Sequence, residues 1–509
     1  MGRRSLPRIP TGPAAPSPGR ELARGLADNA RDMLYPLLVV ARGLRSLATT
    51  GRHGWGRMPR ERRGPTLLLV ASCLAIVALV PYGPTLGTAA LLAAGAWAGR
   101  DRGGARGAAA EPGEAESGRL QALYEALVPY FSAPQDPRPL YAPGGDWRQA
   151  FEEYAFDGLG RLTALRLRYP GYFTDGEEGA RARIEQLLHV KAGRGPEYRF
   201  DWDEAANRLA LGVLPVLPTD VWAQRFVTAP GETVLGFTDP SAVLRTVPVT
   251  AGEETYDAPP VVWRTGPRST EPHLLALGQP SSGVTTLLRS VVLQALLHGE
   301  VVVVDGGGAG EYACLEGREG VLAVESSLPG ALAVLEWASH ETERRLLAAG
   351  RARREGRALP ADVRRPLWIV VDRPGALSHL AARDGRPDPQ DLLAVPLRHG
   401  RTAQVTVAVG EQLEGVGRLA EAVLAHTRAR AVLGAVASEQ VTAVLGAPSH
   451  TTPADHVPPG RGYARVGTGP VHRLQVPATP DPYDEETGDA QRQAVLALLP
   501  RPVAASPTG

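Results

Sequence analysis

Short, wholly apolar runs alternate with longer amphipathic segments in the second half of the chain. Buried strands are predicted at residues 274–277, 301–305, 366–372, 403–409 and 428–436. The segments between these runs place apolar residues three and four positions apart, which indicates helices. Strands that are apolar throughout belong to sheets covered on both faces, and strand–helix alternation is typical of parallel sheets. The pattern therefore predicts an α/β domain with a doubly wound parallel sheet over residues 256–478.

The preceding region, residues 119–255, has a mixed pattern. Helical spacing occurs at 120–131 and 177–190, and strand-like segments occur at 198–202 and 208–214. Tyrosine and tryptophan side chains between these segments supply apolar area for a core. We expect a small α+β domain here, and no group of residues within it indicates catalysis.

Residues 65–99 contain no charged side chain and are interrupted by proline and glycine at 81–84. A helix needs about 20 apolar residues to cross a bilayer, so this length suits two short spans with a tight turn, or one span and a re-entrant segment. Arginines flank the run on both sides, which indicates that both ends face the cytoplasm. We predict a transmembrane helical hairpin in the inner (cytoplasmic) membrane; the alternative is a buried helical hairpin of a soluble protein.

The remaining segments are predicted from composition. Residues 1–64 are expected to form a disordered or amphipathic cytoplasmic N-terminus. Small, polar and charged residues at 100–118 suit a linker. Residues 479–509 are expected to form a C-terminal tail with a short helix near 490–499 and a loose end. The net charge of +1 produces no global field that would attract nucleic acid or acidic lipid. The two cysteines form no disulfide framework, which agrees with a cytoplasmic location for the bulk of the chain.

The segment LLALGQPSSGVTT has the glycine spacing of a phosphate-binding loop, G-x-x-x-x-G-K-[ST], between a strand and a helix. A threonine stands where the hydroxyl that binds Mg²⁺ belongs, but Val284 occupies the lysine position. The chain contains a single lysine, Lys191, among 55 basic residues. The candidate nucleotide-binding residues of this loop are Gly278, Ser282, Gly283, Val284, Thr285 and Thr286.

A second motif, IVVDRP, ends an apolar strand with Asp372. An aspartate in this position orients Mg²⁺ in nucleotide-hydrolysing motors, so Asp372 and Thr285 are the candidate metal ligands. Active motors commonly place a glutamate next, where it polarises water; here the next residue is Arg373. Asp305 also ends an apolar strand and leads into GGGAG, which is either a flexible turn near the site or a plain connection.

The order of these pieces resembles the FtsK/SpoIIIE family of DNA-pumping motors over about residues 260–478. The helix between the two motifs carries a Glu-Arg-Arg cluster, and the segment after the second motif carries an arginine–glycine–arginine signature and a strand ending in glutamine. PPGRGYARVGTGPVHRLQVP at 458–477 resembles the closing β-hairpin. The matching cluster and signature residues are Glu343, Arg344, Arg345, Arg398, Gly400, Arg401 and Gln412. Actinobacterial conjugation pumps of the TraB type and secretion ATPases of the EccC type are the most similar classes.

The resemblance implies a RecA-like P-loop fold with ATP and Mg²⁺ as ligands and Gln412 as the sensor of the γ-phosphate. It implies that the protein assembles as a homo-hexamer or associates with an active motor, and that double-stranded DNA is a partner. The residues expected to contact DNA or a neighbouring subunit are Arg344, Arg345, Arg398 and Arg401. Val284 and Arg373 depart from the family pattern and remove charges on which hydrolysis depends.

Three functions are consistent with these features. The first is a membrane-anchored pseudo-ATPase associated with DNA or a motor. The second is an active ATP-dependent DNA translocase of the conjugation or segregation type, in which arginines replace the lysine. The third is a regulatory component of a type VII-like secretion ATPase. Each lost charge removes several kcal/mol of transition-state stabilisation, about 3 kcal/mol being typical, and this favours the first and third over the second.

Overall fold

The structure is a computed structural model that describes residues 112–192, 197–252, 254–452 and 457–503. The predicted N-terminal segment and transmembrane hairpin, residues 1–99, lie outside the described residues. Within the described ranges, no helix has both the length and the apolar content that crossing a bilayer requires.

A small antiparallel sheet with two helices occupies the first part of the described chain. Its elements are α1 (Glu114–Phe131), β1 (Phe151–Phe156), β2 (Leu162–Arg168), α2 (Glu178–Ala192), β3 (Tyr198–Asp203) and β4 (Arg208–Val213). The strand order is β1-β2-β4-β3. Tyr124, Phe131 and Tyr141 are among the aromatic side chains of its buried core. Helix α1 begins within the predicted linker, because Glu116 accepts a 3.0 Å hydrogen bond from the Gly113 amide and caps the first turn.

A ten-stranded mixed sheet forms the larger part of the described chain. The elements that follow β4 are β5 (Glu232–Phe237), β6 (Val247–Ala251), β7 (Glu254–Ala258), β8 (Pro260–Arg264), β9 (Leu274–Gly278), α3 (Val284–Ala295), β10 (Glu300–Asp305), β11 (Val321–Glu325), α4 (Leu328–Arg354), α5 (Ala361–Arg364), β12 (Leu367–Asp372), α6 (Pro374–Arg383), α7 (Ala394–Ala403), β13 (Val405–Gln412), α8 (Glu421–His426), β14 (Ala429–Leu433), α9 (Ser438–Leu445), β15 (Arg461–Val466), β16 (His472–Gln475) and α10 (Asp489–Leu496). Strands β6 and β7 form a separate hairpin.

The strand order of the large sheet is β11-β10-β12-β13-β9-β14-β15-β16-β5-β8. The first six strands are parallel, and the pairs from β14 onward are antiparallel. The predicted parallel sheet is therefore confirmed, with an antiparallel extension. Strand β5 lies within residues 119–255, which the sequence pattern assigned to the small α+β domain. No helix alternates with this segment, so its pattern did not group it with the parallel strands.

Alternate residues of the parallel strands enter two separate cores. Leu274 and Ala276 pack with α3 on one face, whereas Leu275 and Leu277 pack with α4, α6 and α7 on the other. This division follows from the two-residue repeat of a strand. It explains why the strands are apolar at every position.

The C-terminal segment packs against the large sheet through residue 503. The Val503 amide donates a 2.7 Å hydrogen bond to Gly317 O, and the Glu319 amide donates a 2.9 Å bond to Arg501 O. Helix α10 contributes an apolar side chain to the core on the α3 face. The short helix predicted near 490–499 is thus observed as α10, and the residues around it find backbone partners that the sequence pattern does not reveal.

A buried ionic cluster joins the small sheet to the large one. Arg473 on β16 pairs with both Glu197 and Asp239, and Arg461 on β15 lies 3.4 Å from Glu197. The Arg473 side chain is only 2% exposed. Strand β3 is also bonded to the segment after α9, since the Phe200 amide donates a 2.8 Å bond to a carbonyl of that segment.

Candidate functional site

A pocket of about 230 Å³ opens at the carboxyl ends of β9, β12 and β13, beside the N-terminus of α3. Ligands of open α/β sheets bind at this edge, because the strand ends and helix N-termini converge there. The predicted residues that line the pocket are Ser282, Gly283, Val284, Thr285, Thr286, Asp372 and Gln412. Gly278 is the last residue of β9 and starts the loop.

The backbone of the loop bends where a phosphate-binding loop requires it. Gly283 has φ +98° and caps α3, and Ser281 has φ +61°. Gly283 is required by space as well, since a Cβ there would lie 2.9 Å from the Gly460 nitrogen. The Gly460 amide donates a 2.8 Å hydrogen bond to Ser282 O, which connects the turn before β15 to the loop. The first amides of a helix have no partner within it and favour an anion there.

Val284 lines the pocket, but its two methyl groups pack against the sheet. A Cβ on Gly410 would lie 2.9 Å from Val284 Cγ1, and a Cβ on Gly278 would lie 2.7 Å from Val284 Cγ2. The two methyl groups therefore occupy the space between β9 and β13 that these glycines leave open. The residue contributes packing to the core and no charge to the pocket.

Asp372 is the most buried charged group of the pocket. Its Oδ2 accepts hydrogen bonds from the Thr285 hydroxyl at 2.8 Å and the Tyr312 hydroxyl at 3.0 Å. Its Oδ1 is buried without a hydrogen-bond partner. Burial raises the pKa of Asp372 to about 6, although the hydroxyls of Thr285 and Tyr312 and the charge of Arg373 act in the opposite direction.

Thr285 and Asp372, the two predicted Mg²⁺ ligands, are in direct hydrogen-bond contact. The unpartnered Oδ1 and the adjacent hydroxyl are oxygen donors of the kind that Mg²⁺ prefers. Within the described ranges, no group of three or more His, Cys, Asp and Glu side chains is placed to hold a metal ion. A Mg²⁺ ion here would therefore depend on ligand phosphates for the rest of its coordination, as in P-loop proteins generally.

Arg373 lies where a motor would place its glutamate. Its backbone is left-handed, with φ +52°, and it caps α6. The side chain lines the pocket and its Nη2 lies 3.7 Å from Glu311 Oε1. The glycine run that follows Asp305 forms a turn beside this site. The Asp305 carboxylate accepts hydrogen bonds from the amides of Gly307, Gly308 and Gly310 at 3.1–3.2 Å.

Glu411 and Glu311 also line the pocket and were not predicted. The two carboxylate oxygens of Glu411 accept hydrogen bonds from the Gly375 amide at 2.8 Å and the Gln412 amide at 2.9 Å. These bonds make Glu411 a cap for α6. Glu411 directly precedes the candidate sensor Gln412, so the sequence could have indicated that Glu411 lies at the pocket. The residues near Glu311 in the sequence give no such indication.

The predicted contact arginines lie apart from the pocket. Arg345 is buried, hydrogen-bonded to Glu341 and to Arg365 O at 2.7 Å each. Arg344 is half exposed and pairs with Glu341 at 2.7 Å. Because Arg345 is buried and hydrogen-bonded, its guanidinium is not accessible to DNA. Arg398 and Arg401 are exposed on α7.

The sequence is similar to one secretion protein in particular. It is 31% identical over 254 residues to the ESX secretion system protein EccC of Thermomonospora curvata. Over this stretch the chain is similar to an FtsK/SpoIIIE-type P-loop motor. The match covers 45% of this chain and 18% of EccC, so the chain spans about a fifth of the length of this curated relative. No protein-family model matches the chain.

Two solved structures are among those to which the chain is similar. The pCW3 conjugation coupling protein TcpA is 12% identical, with a TM-score of 0.41 over 75% of this chain and 99% of TcpA. The cytoplasmic domain of the type VII secretion ATPase EccC of Thermomonospora curvata is 23% identical, with a TM-score of 0.40 over 58% of this chain and 34% of EccC.

Proposed function

We propose that this chain is a membrane-anchored, FtsK/SpoIIIE-like pseudo-ATPase that binds nucleotide weakly and works in association with an active motor or with DNA. The observation that carries the proposal is the packing of Val284 between Gly278 and Gly410. The loop keeps its backbone shape, while the residue at the lysine position is uncharged and packs against the core.

The charges around the pocket support weak binding. Among its described lining residues, Glu311, Asp372 and Glu411 carry carboxyl groups and Arg373 carries a guanidinium. A nucleotide triphosphate is itself strongly anionic, so these carboxylates oppose it unless Mg²⁺ accompanies it. The α3 N-terminus and a Mg²⁺ ion bound at Thr285 and Asp372 favour nucleotide binding.

Hydrolysis needs a group that polarises the attacking water, and no glutamate follows Asp372 to do so. Both oxygens of Glu411 are occupied by backbone amides. Glu311 lies between Arg373 and Arg289, at 3.7 and 3.8 Å. The residue after Asp372 carries a positive charge. We therefore expect nucleotide to be held without turnover.

The test is ATP hydrolysis by the purified full chain, with Mg²⁺ and with or without duplex DNA. We expect phosphate release no higher than that of a buffer blank. DNA-stimulated turnover of about 1 s⁻¹ or more, within the ordinary range of enzymes, would refute the proposal and support an active translocase.

A second candidate is favoured by the similarity to EccC: a regulatory component of a type VII-like secretion ATPase. It differs from the first in its partner. Isolation of the tagged full chain from its own cells, followed by mass spectrometry, is expected to recover an EccC-type ATPase if this candidate is correct. Recovery of a conjugation-type motor, or a shift of duplex DNA in a gel at physiological salt, would instead support the first.

A further inference from the structure

The pocket contains a cation that the sequence pattern did not assign to ligand binding. Arg373 follows Asp372 at the end of β12, and its side chain is 37% exposed. Its 3.7 Å separation from Glu311 is too long for a hydrogen bond. The guanidinium therefore retains donors for a ligand in the same pocket as the loop amides.

The glycine run after β10 provides the space for this side chain. A Cβ on Gly307 would lie 3.1 Å from Arg373 Nη1 and 3.2 Å from Asp305 Oδ1. A Cβ on Gly306 would collide with the Arg373 carbonyl. Asp305 holds the turn in shape through three backbone amides. The absence of side chains in the glycine run thus leaves room for the Arg373 side chain beside the pocket.

Glu311 is held where it competes for Arg373. Its backbone carbonyl accepts a 2.7 Å hydrogen bond from Arg289 Nη2, and its Oε2 lies 3.8 Å from the same nitrogen. Arg289 is 3% exposed and donates a further 2.8 Å bond to Thr479 O. Arg289 is therefore fixed in the core, whereas Arg373 has one loosely held acidic neighbour and an open side.

Two buried oxygens of residues that line the pocket have no hydrogen-bond partner. Ser282 is 7% exposed and its Oγ has no hydrogen-bond partner, and the same is true of Oδ1 of Asp372, which is 2% exposed. Buried polar atoms in native proteins are almost always paired. Both residues line the pocket beside the α3 N-terminus.

We propose that Arg373 replaces the missing loop lysine as the cation that binds the polyphosphate of a Mg²⁺-bound nucleotide, and that Glu311 competes with the ligand for it. The inference rests on the proposed function and adds the binding residue. The loop amides and Arg373 approach the phosphates from two sides, with Mg²⁺ at Thr285 and Asp372. An arginine in this place binds phosphate through two parallel N–H donors and leaves the attacking water without a base.

The test is isothermal titration of the purified full chain with MgATP, MgADP and magnesium pyrophosphate. Arg373→Gln removes the charge and retains most of the length, and is expected to weaken binding of all three ligands about tenfold or more. Arg373→Lys is expected to restore part of the affinity. Glu311→Gln removes the competitor and is expected to tighten binding about threefold or more.

Two control variants exclude general effects of these changes. Arg383→Gln removes an exposed arginine from the other end of α6 and is expected to bind as the native chain does. Gly307→Ala displaces the Arg373 guanidinium and is expected to weaken binding, whereas Gly417→Ala, whose Cβ meets no atom within 4 Å, is expected to have no effect. Thermal unfolding of each variant identifies any that fails to fold.

The outcomes separate this inference from the proposed function. Equal affinities of the Arg373→Gln variant and the native chain, with no hydrolysis, would overturn the inference alone. Absence of binding by the native chain at millimolar ligand would overturn the inference and the nucleotide-binding part of the proposed function. Turnover of ATP would overturn the proposed function. Loss of nucleotide binding but retention of pyrophosphate binding in Arg373→Gln would also contradict the inference, because the phosphates are common to all three ligands.

Discussion

The Thr285 hydroxyl donates a 2.8 Å hydrogen bond to Asp372 Oδ2 and so connects the first turn of α3 to the end of β12. Strand β13 lies between β12 and β9 in the sheet, and Gly410 is in register with Asp372. The bond passes above Gly410, where a Cβ would lie 3.2 Å from Asp372 Oδ1. A glycine in the middle strand thus allows the two halves of the site to meet.

Replacing Thr285 by valine should destabilise the protein. The change leaves the buried carboxylate of Asp372 with the Tyr312 hydroxyl as its remaining hydrogen-bond donor, at a cost of about 2 kcal/mol at pH 7.5. Thr286→Val, at the neighbouring position of the same helix, is the control and should cost less than about 0.5 kcal/mol. Urea unfolding of the full chain measures both. Equal losses in the two variants would show that the hydrogen bond contributes nothing.

Asp372 should make the stability depend on pH. Because its pKa is raised from 3.8 to about 6, the folded chain binds more protons than the unfolded chain between these values. The stability contributed by this group is therefore fully present below about pH 4 and is lost as pH rises through about 6, with an upper limit of about 3 kcal/mol.

The comparison with Asp372→Asn isolates this contribution from other titrating groups. The free energy of unfolding of the native chain minus that of the variant should be about 2 kcal/mol smaller at pH 7.5 than at pH 4.5. Urea unfolding in the presence of EDTA gives both values. A difference that does not change with pH would contradict the raised pKa.

Val284→Lys should increase the affinity for nucleotide and reduce stability. The new ammonium group reaches the phosphates and should lower the Kd for MgADP about tenfold. The loss of packing against Gly278 and Gly410 should cost about 1–2 kcal/mol of unfolding free energy. Val284→Met adds length without charge and should affect stability alone. A lysine variant that binds no more tightly than the methionine variant would mean that the loop amides do not face the phosphates.

The ionic cluster between the two sheets should be sensitive to loss of its central arginine. Arg473→Met leaves Glu197 and Asp239 buried beside one another with one cation fewer, and should cost about 3–5 kcal/mol. Arg199→Met, which removes an exposed arginine paired with Asp201, should cost less than about 1 kcal/mol. Guanidinium unfolding measures both. Similar losses would show that water reaches the cluster and screens it.

Much of the large sheet was predictable from the chain. The run at 301–305 was predicted as a strand and the structure places β10 at Glu300–Asp305. Runs of this kind are apolar at every position because both faces of a parallel sheet are covered. Strands β5 and β8 were not predicted, since their place in the sheet depends on contact with β16, where Phe237 pairs with Gln475.

The site was predictable in its outline and not in its charges. Gly283, Thr285 and Asp372 were expected together, because the carboxyl ends of parallel strands meet at one edge. Glu311 and Tyr312 reach the pocket from a loop, and their approach depends on the turn that Asp305 caps. Arg345 matched the motor pattern as a contact residue, yet it is buried against Glu341 and Arg365.

The sequence by itself determined that a phosphate-loop fold would form and that the loop would lack its lysine, since glycine spacing and apolar periodicity are local properties of the chain. Only the tertiary structure decided what replaced the missing charge. The methyl groups of Val284 fill the space that Gly278 and Gly410 leave between two strands, and the Arg373 side chain lies against Gly307, which is 66 residues earlier in the chain. Such contacts depend on which distant segments the sheet places side by side, and no local pattern encodes them.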